Sequence, residues 1–382
     1  MSRHAGGYLV DASNLHVGGG VQVAASFLNE VAALLVLDDV ERGTIGRLTC
    51  IVSSEVAANL EPTTWSSNLD IRIGDSSPRR WVDFPQPRYE SVFTVFGPTY
   101  RRRRADKEIM GFARGLMIYP LSEVRLPPAG LRERLLDEIR WRRFGSADVP
   151  VTETEESAHR VRKRLTGIDV QVVENCVSRA VSDRSLWRRN PVLDRLDSEV
   201  LLLASIGRDY PHKNLDFLAR LGPQLERFAN RRTRFLVTLS TTEWARKPES
   251  FKRYCLNAGI VAQTELGPLY EACEATVFPS LLEISSATPL ESMYLGVPLF
   301  VSDIPSMRAD FGEMAVYFDP WDARRAAETI AHKLASGVPR RQSHTVRTWP
   351  HRQSDPTSRA LRYLEVLKGL RPVGDTEQGD LR

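Results

Sequence analysis

The apolar residues of this chain fall into short runs, and amphipathic stretches separate these runs. The runs predict strands at residues 8–10, 48–53, 70–73, 91–96, 149–152, 170–173, 200–206, 234–240 and 276–278, with a further strand after Gly296. The amphipathic stretches predict helices at residues 20–37, 131–144, 153–165, 267–275, 321–335 and 358–370, with another ending near residue 226. Strands that alternate with helices in this way predict parallel sheets covered by helices on both faces.

The length of the chain and one polar segment predict two domains. A chain of 382 residues is long enough for two domains of ordinary size. Residues 178–195 are mostly polar, and the run at 200–206 is apolar throughout, which is typical of a strand buried on both faces. We therefore expect one α/β domain at residues 1–180 and a second at residues 181–350.

Composition narrows the class of protein. The hydrophobic content of 42% and the charged content of 26% are those of a soluble globular protein. A net charge of +4 suits anionic small molecules or an anionic membrane surface, and we expect no nucleic acid partner. The four cysteines have neither zinc nor redox spacing, so we expect free thiols in a reducing compartment. We see no signal peptide and expect a cytoplasmic protein, with peripheral attachment to the inner membrane face as an alternative.

Residues 277–303 carry the densest candidate chemistry. A short strand runs into a polar loop that holds Glu283, and a helix then starts abruptly. We expect Thr288 to be the N-cap, Pro289 the first helical residue, and Glu291 the acid of a capping box. A helix N-terminus at the carboxyl end of a buried strand is a ready anion site. The alternative is that Glu291 only satisfies backbone donors and that Glu283 is a solvated loop acid.

A second candidate site follows the apolar run at 200–206. Gly207, Arg208 and Lys213 lie on one short loop, at the strand edge where ligands of open parallel sheets bind. An arginine fork together with a lysine point charge is suited to holding a diphosphate. The alternative is that both cations are solvated.

The first half of the chain offers weaker signals. The loop at residues 11–20 contains Asn14, His16 and three glycines, which would let backbone approach a phosphate or a sugar closely. Tyr100 leads into four consecutive arginines, and residues 140–144 read Arg-Trp-Arg-Arg-Phe. The arginines, Arg101 to Arg104, fit a solvated loop, an acceptor diphosphate or anionic lipid heads. Residues 140–144 fit either a membrane-surface helix or a packed surface helix with cations at its C-terminal end.

Taken together, these motifs resemble the signature of the family-four retaining glycosyltransferases (glycosyl transferases group 1), which have the GT-B fold. The matching features are Gly-Arg with Lys213 five positions after Arg208, Pro279-Ser280 after a strand, the two glutamates eight positions apart, Gly296-Val297-Pro298, Ser-Asp-Ile-Pro-Ser at 302–306 and Tyr-Phe-Asp-Pro at 317–320. The chain departs from the family where Ile284-Ser285-Ser286 replaces Gly-Phe-Gly. Residues 93–119 also lack the histidine that many members carry.

The resemblance implies two Rossmann-like, doubly wound parallel-sheet domains that face a cleft. It implies a crossover helix within residues 351–372 that returns to the first domain, and we expect a disordered tail at 373–382. The implied reaction moves a sugar from a UDP- or GDP-linked donor to a hydroxyl acceptor, with retained configuration. The implied acceptor is a glycan or a lipid-linked oligosaccharide of cell-surface polysaccharide synthesis. No Asp-x-Asp motif is present, so we expect neither a metal nor a cofactor.

The resemblance also assigns roles to residues. Arg208 and Lys213 would hold the diphosphate, Glu283 would bind hydroxyls of the donor sugar, and Glu291 would accept hydrogen bonds from the ribose. Further donor-binding candidates are Gly19, Gly20, Gly207, Ser285, Ser286, Ala287 and Thr288. Acceptor-side candidates are Asn14, His16, Tyr100 and Arg101. An anionic membrane surface would bind through residues 101–104 and 140–144.

Two other functions are also consistent with the sequence. A nucleotide-sugar epimerase on the same fold would need acid and base residues that we cannot identify in the first domain. A non-catalytic nucleotide-sugar-binding or scaffold protein would fit the altered residues 284–286 and the missing histidine. Donor turnover by wild type and by variants at Glu283 and Arg208 separates these alternatives.

Overall fold

The structure, a computed structural model, describes residues 7–37, 48–67, 69–74, 87–99, 103–124, 126, 130–197, 199–337 and 355–370. These residues form two compact units. The first contains the described residues within 1–118, 129–175 and 354–382, and the second contains those within 119–128 and 176–353. The chain passes from the first unit to the second after Ile118 and again after Asn175. The expected tail at 373–382 lies outside the described residues.

The described strands and helices alternate along most of the chain. The strands are β1 (Tyr8–Ala12), β2 (Leu48–Val52), β3 (Asp70–Ile73), β4 (Tyr89–Thr94), β5 (Ala105–Gly111), β6 (Val149–Thr152), β7 (Gln171–Val172), β8 (Leu201–Ala204), β9 (Thr233–Val237), β10 (Cys255–Asn257), β11 (Ala275–Phe278), β12 (Leu299–Ser302) and β13 (Val316–Phe318). The helices are α1 (Gly19–Leu37), α2 (Ser54–Ala57), α3 (Pro62–Trp65), α4 (Gly115–Ile118), α5 (Leu121–Val124), α6 (Leu131–Phe144), α7 (Glu155–Arg164), α8 (Arg179–Ser182), α9 (Phe217–Ala229), α10 (Thr241–Arg246), α11 (Glu249–Lys252), α12 (Gln263–Glu271), α13 (Ala287–Tyr294), α14 (Pro305–Phe311), α15 (Ala323–Ala335) and α16 (Pro356–Leu367).

The first unit is built on a seven-stranded parallel sheet in the order β3-β2-β1-β4-β5-β6-β7. The long helix α1 carries buried apolar residues on most of its surface, because it lies between this sheet and other helices of the unit. Its apolar side chains form one core with those of β1, β2 and β4. The parallel order and the helical cover agree with the predicted α/β class.

The last helix, α16, belongs to the first unit although the chain reaches it from the second. Tyr363 of α16 packs its ring 5.1 Å from that of Phe27 and 5.0 Å from that of Phe93, centroid to centroid. The buried Arg359 donates to Asn175 Oδ1 at 3.0 Å and to Ser26 Oγ at 2.8 Å. The predicted return of the C-terminal helix to the first domain is thereby confirmed.

Strand β5 was not predicted from the sequence. It starts with charged residues, and a run such as Ala-Asp-Lys-Glu does not look like a strand inside a sheet. In the structure Glu108 forms an ion pair with Arg143 of α6, and Glu108 N donates to Asp148 Oδ2 at 2.7 Å. These bonds to residues far along the chain offset the free-energy cost of placing polar residues in the sheet.

The second unit is built on a six-stranded parallel sheet in the order β10-β9-β8-β11-β12-β13. All four residues of β8 are buried, as its continuous apolar sequence predicted. Strands β8 and β11 are neighbours and run in the same direction. Their carboxyl ends therefore lie at one edge of the sheet, and the loops that follow them are adjacent.

Candidate functional site

Hydrogen bonds join the loop after β8 to the loop after β11. Leu281 N donates to His212 O at 2.7 Å, and Ser280 Oγ lies 3.0 Å from the same oxygen. Asn214, which has a left-handed backbone with φ of 52°, donates to Pro279 O at 3.2 Å. The two loops thus form one connected surface at the carboxyl edge of the sheet.

Lys213 and Glu283, one from each loop, form an ion pair with Nζ and Oε1 2.6 Å apart. Glu283 is buried, and its Oε1 also accepts a hydrogen bond from Ser280 Oγ. Lys213 Nζ lies 4.8 Å from the ring centroid of Phe278. The structure therefore brings together two of the residues that the sequence singled out, and it holds both side chains in defined positions.

Arg208 is held by a residue that sequence reasoning missed. Its Nε donates to Glu243 Oε1 at 3.0 Å, while its terminal nitrogens have no hydrogen bond within the described part of the chain. Gly207 precedes it with φ of 152°, a conformation that side chains rarely adopt. Although partial burial opposes ionisation, hydrogen bonds from Ser240, Arg208 and Asp209 lower the pKa of Glu243 to about 2. The signal that could have revealed Glu243 is its capping-box spacing from Ser240.

The start of α13 differs from the predicted start. The helix begins at Ala287 with Ser286 as N-cap, so Thr288 is the second helical residue and Pro289 the third. The predicted capping box is wrong, because Thr288 Oγ1 donates to Ile206 O at 3.2 Å and Glu291 has another partner. Proline is tolerated there, because N–H groups of the first turn have no intrahelical acceptor. The Thr288 bond ties the helix start to the loop that carries Arg208.

Glu291 is buried one turn into α13. Its Oε2 accepts a hydrogen bond from Tyr270 Oη at 2.9 Å, and this hydroxyl also lies 3.2 Å from Thr288 O. Burial raises the pKa of Glu291 to about 7, although the bond from Tyr270 opposes the rise. Glu291 is therefore neither a solvated acid nor a capping residue, and its carboxyl group can change charge near neutral pH.

The loop between Glu283 and α13 contains an unsatisfied hydroxyl. Ser285 Oγ is shielded from solvent and has no hydrogen-bond partner among the described residues. Its neighbours Ile284 and Ser286 are buried. Because buried polar atoms are nearly always hydrogen-bonded in folded proteins, Ser285 Oγ is suited to meet a group that the chain does not supply. It lies at the position of the phenylalanine in the Gly-Phe-Gly of the resembled family.

The first-unit candidates lie at the carboxyl end of β1 and in the loop that follows. Asn14 Nδ2 donates to Phe96 O at 2.6 Å, and its shielded Oδ1 has no partner among the described residues. His16 Nδ1 lies 3.0 Å from Glu55 Oε2, and both side chains are exposed. A Cβ on Gly20 would lie 3.3 Å from Leu15 and Phe96, whereas one on Gly19 would meet nothing within 4 Å. Tyr100 and Arg101 lie outside the described residues.

The basic and aromatic run at residues 140–144 is mostly buried within the first unit. Trp141 and Phe144 pack on Phe112, with ring centroids 5.5 Å and 4.7 Å away. Arg143 is buried, donates to Thr99 O at 2.7 Å and pairs with Glu108. These three residues are therefore not available to a membrane surface, contrary to the expectation from composition. Among the described residues, no helix is both long and apolar enough to cross a bilayer.

The expected basic run at residues 101–104 is only partly described. Arg101 and Arg102 lie outside the described residues. Arg103 is directed inward, and its Nε donates to the buried Asp11 Oδ2 at 2.9 Å. Within the part of the chain that the structure describes, no three or more His, Cys, Asp and Glu residues are grouped so as to hold a metal ion.

The chain was compared with protein families, with curated sequences and with solved structures. Residues 200–336 match the family model described as "Glycosyl transferases group 1". A search of curated protein sequences found no match. Sucrose-phosphate synthase from Thermosynechococcus elongatus is similar in structure, with a TM-score of 0.58, 14% identity and 94% of each chain covered. Anabaena HepE with UDP and glucose gives a TM-score of 0.64 at 11% identity, covering 95% of this chain and 99% of that one. An α,α-trehalose-phosphate synthase (UDP-forming) from Burkholderia vietnamiensis gives a TM-score of 0.59 at 12% identity, covering 97% of this chain and 99% of that one.

These matches test the predicted fold and the family resemblance. The structural likeness extends over both units, and the predicted GT-B fold is confirmed. The resemblance to the group 1 glycosyltransferases, drawn from the motifs of residues 207–320, is confirmed as well.

Proposed function

We propose that the chain is a retaining glycosyltransferase that moves a sugar from a nucleotide diphosphate sugar to a hydroxyl acceptor. One observation supports this most directly. Arg208, Lys213 and the start of α13 lie on connected loops at the carboxyl edge of one parallel sheet. Two cations and a helix N-terminus there suit a departing diphosphate, whose negative charge grows as the glycosidic bond breaks.

The acids of the same edge suit the rest of a donor. Buried Glu283 can accept hydrogen bonds from sugar hydroxyls, and its pairing with Lys213 fixes its position beforehand. Buried Glu291 has further acceptor capacity beyond the bond from Tyr270, which suits ribose hydroxyls. We assign Ser285 Oγ to the donor sugar as well, because it lacks a partner in the described chain.

We propose a UDP-linked donor, with a GDP-linked donor as the alternative. HepE is described with UDP and glucose, and the trehalose-phosphate synthase is described as UDP-forming. We further propose a glycan or lipid-linked acceptor of cell-surface polysaccharide synthesis, a cytoplasmic location, and no requirement for a metal, because Arg208 and Lys213 can neutralise the diphosphate. Full activity in excess EDTA would agree with the last point, and activity restored only by added Mg²⁺ or Mn²⁺ would contradict it.

Donor turnover tests the proposed reaction. We expect wild type to consume one UDP- or GDP-sugar of a panel and to release the nucleoside diphosphate. The variants Arg208→Gln and Glu283→Gln should lose most of this turnover, whereas Arg246→Gln, a change of an exposed arginine, should not. Binding of a donor without turnover on any acceptor would favour a scaffold protein. A sugar isomer formed without release of the diphosphate would favour an epimerase.

We also propose that the first unit binds an anionic membrane surface, through residues other than those expected from composition. Leu131, Leu135 and Ile139 lie at i, i+4 and i+8 on α6 and are 80%, 69% and 50% exposed. Such spacing places them on one face of the helix. A row of exposed apolar residues is suited to the boundary between lipid head groups and acyl chains.

The charges around this row favour anionic lipid. The acids of α6 are paired, since Glu133 and Asp137 lie 2.6 Å and 2.5 Å from Arg140 and Glu138 lies 2.7 Å from Arg164. The exposed arginines Arg132 and Arg134 have no ion pair among the described residues, whereas Arg142 Nε lies 4.0 Å from Glu138 Oε1. Each such cation contributes about 1 kcal/mol near an anionic surface.

Flotation with vesicles tests this surface. We expect binding to vesicles that contain phosphatidylglycerol, weaker binding to phosphatidylcholine alone, and loss of binding when Leu131, Leu135 and Ile139 are all changed to serine. Ile260→Ser, which changes an apolar residue of the second unit that is 70% exposed, is the control and should bind normally. Equal flotation by the triple variant, or a dimer in solution that the triple change abolishes without vesicle binding, would contradict the proposal.

A further inference from the structure

The short helix α10 and the lysine that follows it hold the loop of Arg208 in place. Glu243 lies within α10, and Lys247 is the residue at which this helix ends. They contact two successive loop residues of opposite charge. Glu243 bonds to Arg208, and Lys247 bonds to Asp209. The loop is thus fixed at two points by matched ion pairs.

Glu243 uses both carboxylate oxygens for this purpose. Oε1 accepts from Arg208 Nε at 3.0 Å and from Asp209 N at 3.2 Å. Oε2 accepts from Ser240 N at 2.8 Å, and Ser240 Oγ accepts from Glu243 N at 3.2 Å, which closes a capping box. The carboxylate is therefore fixed by its own helix while it fixes the loop.

Lys247 anchors the neighbouring residue. Its Nζ donates to Asp209 Oδ1 and to Asp216 Oδ1, both at 2.7 Å, and the side chain is nearly buried. Its Nζ also lies 4.9 Å from the ring centroid of Phe251. Asp209 is thereby tied both to α10 and to the residue that precedes α9, which limits movement of the loop backbone beside Arg208.

We propose that Glu243 is a positioning residue that orients Arg208 for a nucleoside diphosphate. Glu243 occupies Nε of the guanidinium, so the two terminal nitrogens remain as a fork that can take two phosphate oxygens. The arginine is oriented before a ligand arrives, and binding then does not have to order a long side chain. This inference rests on the proposed donor site and adds a residue that the family motif does not contain.

A double-mutant cycle tests the inference. Isothermal titration with UDP, and with GDP in parallel, is carried out on wild type, Glu243→Gln, Arg208→Gln and the double variant. Glutamine is uncharged and has one acceptor oxygen where Glu243 uses two, so it cannot accept from Ser240 N and hold the guanidinium at the same time. Ordering one long side chain corresponds to about a fivefold to tenfold loss of affinity, which we expect for Glu243→Gln. On the Arg208→Gln background the same change should have no further effect.

The variant Ser240→Ala is the structural control. It removes the capping hydroxyl but leaves the bond from Arg208 to Glu243, so its effect should be small and should be the same in both backgrounds. UMP is the ligand control, because it offers a single phosphate to the fork. We expect Glu243→Gln to weaken the binding of UDP more than the binding of UMP. General loosening of the helix would weaken the binding of both nucleotides alike.

The possible outcomes distinguish the positioning role of Glu243 from the donor site on which it rests. If wild type binds UDP or GDP and Glu243→Gln binds it equally well, the positioning role is wrong and the donor site stands. If the losses from Glu243→Gln and Arg208→Gln add in the double variant, Glu243 does not act through Arg208, and the role is also wrong. If wild type binds neither nucleotide at millimolar concentration, the donor site itself is wrong, together with the role of Glu243.

Discussion

Replacement of Glu291 by glutamine should stabilise the second unit at alkaline pH and have little effect at acid pH. Burial raises the pKa of Glu291 from 4.5 to about 7, and in the unfolded chain it returns to 4.5. Between these values the folded state binds a proton that the unfolded state has released. The stability of wild type should therefore fall as pH rises from 4.5 to 7 and then level off. Glutamine has no charge to bury, so the variant should not lose this stability as pH rises.

The size of the effect follows from the rise in pKa. A tenfold change in proton affinity is worth about 1.4 kcal/mol, so the rise corresponds to about 3 kcal/mol by pH 8.5. Hydrogen exchange of peptides that cover α13 measures it, when wild type and Glu291→Gln are compared at the same pH. The relative protection of the variant should increase roughly a hundredfold between pH 5 and pH 8.5.

One control variant and two outcomes test whether the carboxyl group of Glu291 is buried as described. Glu313→Gln, a change of an exposed glutamate of the same unit, is the control for loss of a carboxyl group at the surface. If the difference between Glu291→Gln and wild type is the same at pH 5 and at pH 8.5, the carboxyl group of Glu291 is not buried in the manner described. If ribose binds this group, UDP affinity of wild type should also rise with pH up to about 7, since hydroxyl donors favour the carboxylate.

Three further changes follow from the contacts above. Tyr270→Phe removes the hydroxyl that donates to Glu291, so the midpoint of the pH dependence should move upward in the same exchange experiment; an unchanged midpoint would contradict that bond. Arg359→Leu removes the hydrogen bonds to Asn175 Oδ1 and Ser26 Oγ, and chemical unfolding of the first unit should show a free energy of unfolding lower by about 2–3 kcal/mol. No loss would mean that Arg359 is not a buried anchor. Ser285→Ala should weaken a UDP-sugar several-fold and leave UDP unchanged; equal effects on both would place the hydroxyl away from the sugar.

The second unit could be predicted well from the sequence because its signals are local. The run before Gly207 is apolar throughout, and a strand buried on both faces has this pattern whatever surrounds it. The loop with Arg208 and Lys213 follows directly, so its place at the sheet edge is set by chain order. The ion pair between Lys213 and Glu283 was not predictable, since it joins residues 70 positions apart.

The errors share one cause, because each concerns a polar residue whose partner is distant in the chain. Thr288 has the sequence context of an N-cap, but its hydroxyl bonds to Ile206 O, and the helix starts two residues earlier than predicted. Arg143 belongs to a run with the composition of a membrane-surface helix, yet it is buried against Glu108. In both places a long-range hydrogen bond outweighed the local pattern. The partner of such a bond cannot be read from a single sequence.

The central claim is that the second unit holds a nucleoside diphosphate through Arg208, Lys213 and the first turn of α13. A crystal structure of the full chain with UDP tests it most directly. We predict phosphate oxygens within hydrogen-bond distance of the Arg208 terminal nitrogens, of Lys213 Nζ and of backbone N–H groups at the start of α13. A nucleotide bound elsewhere, or an Arg208 side chain directed away from it, would contradict the claim.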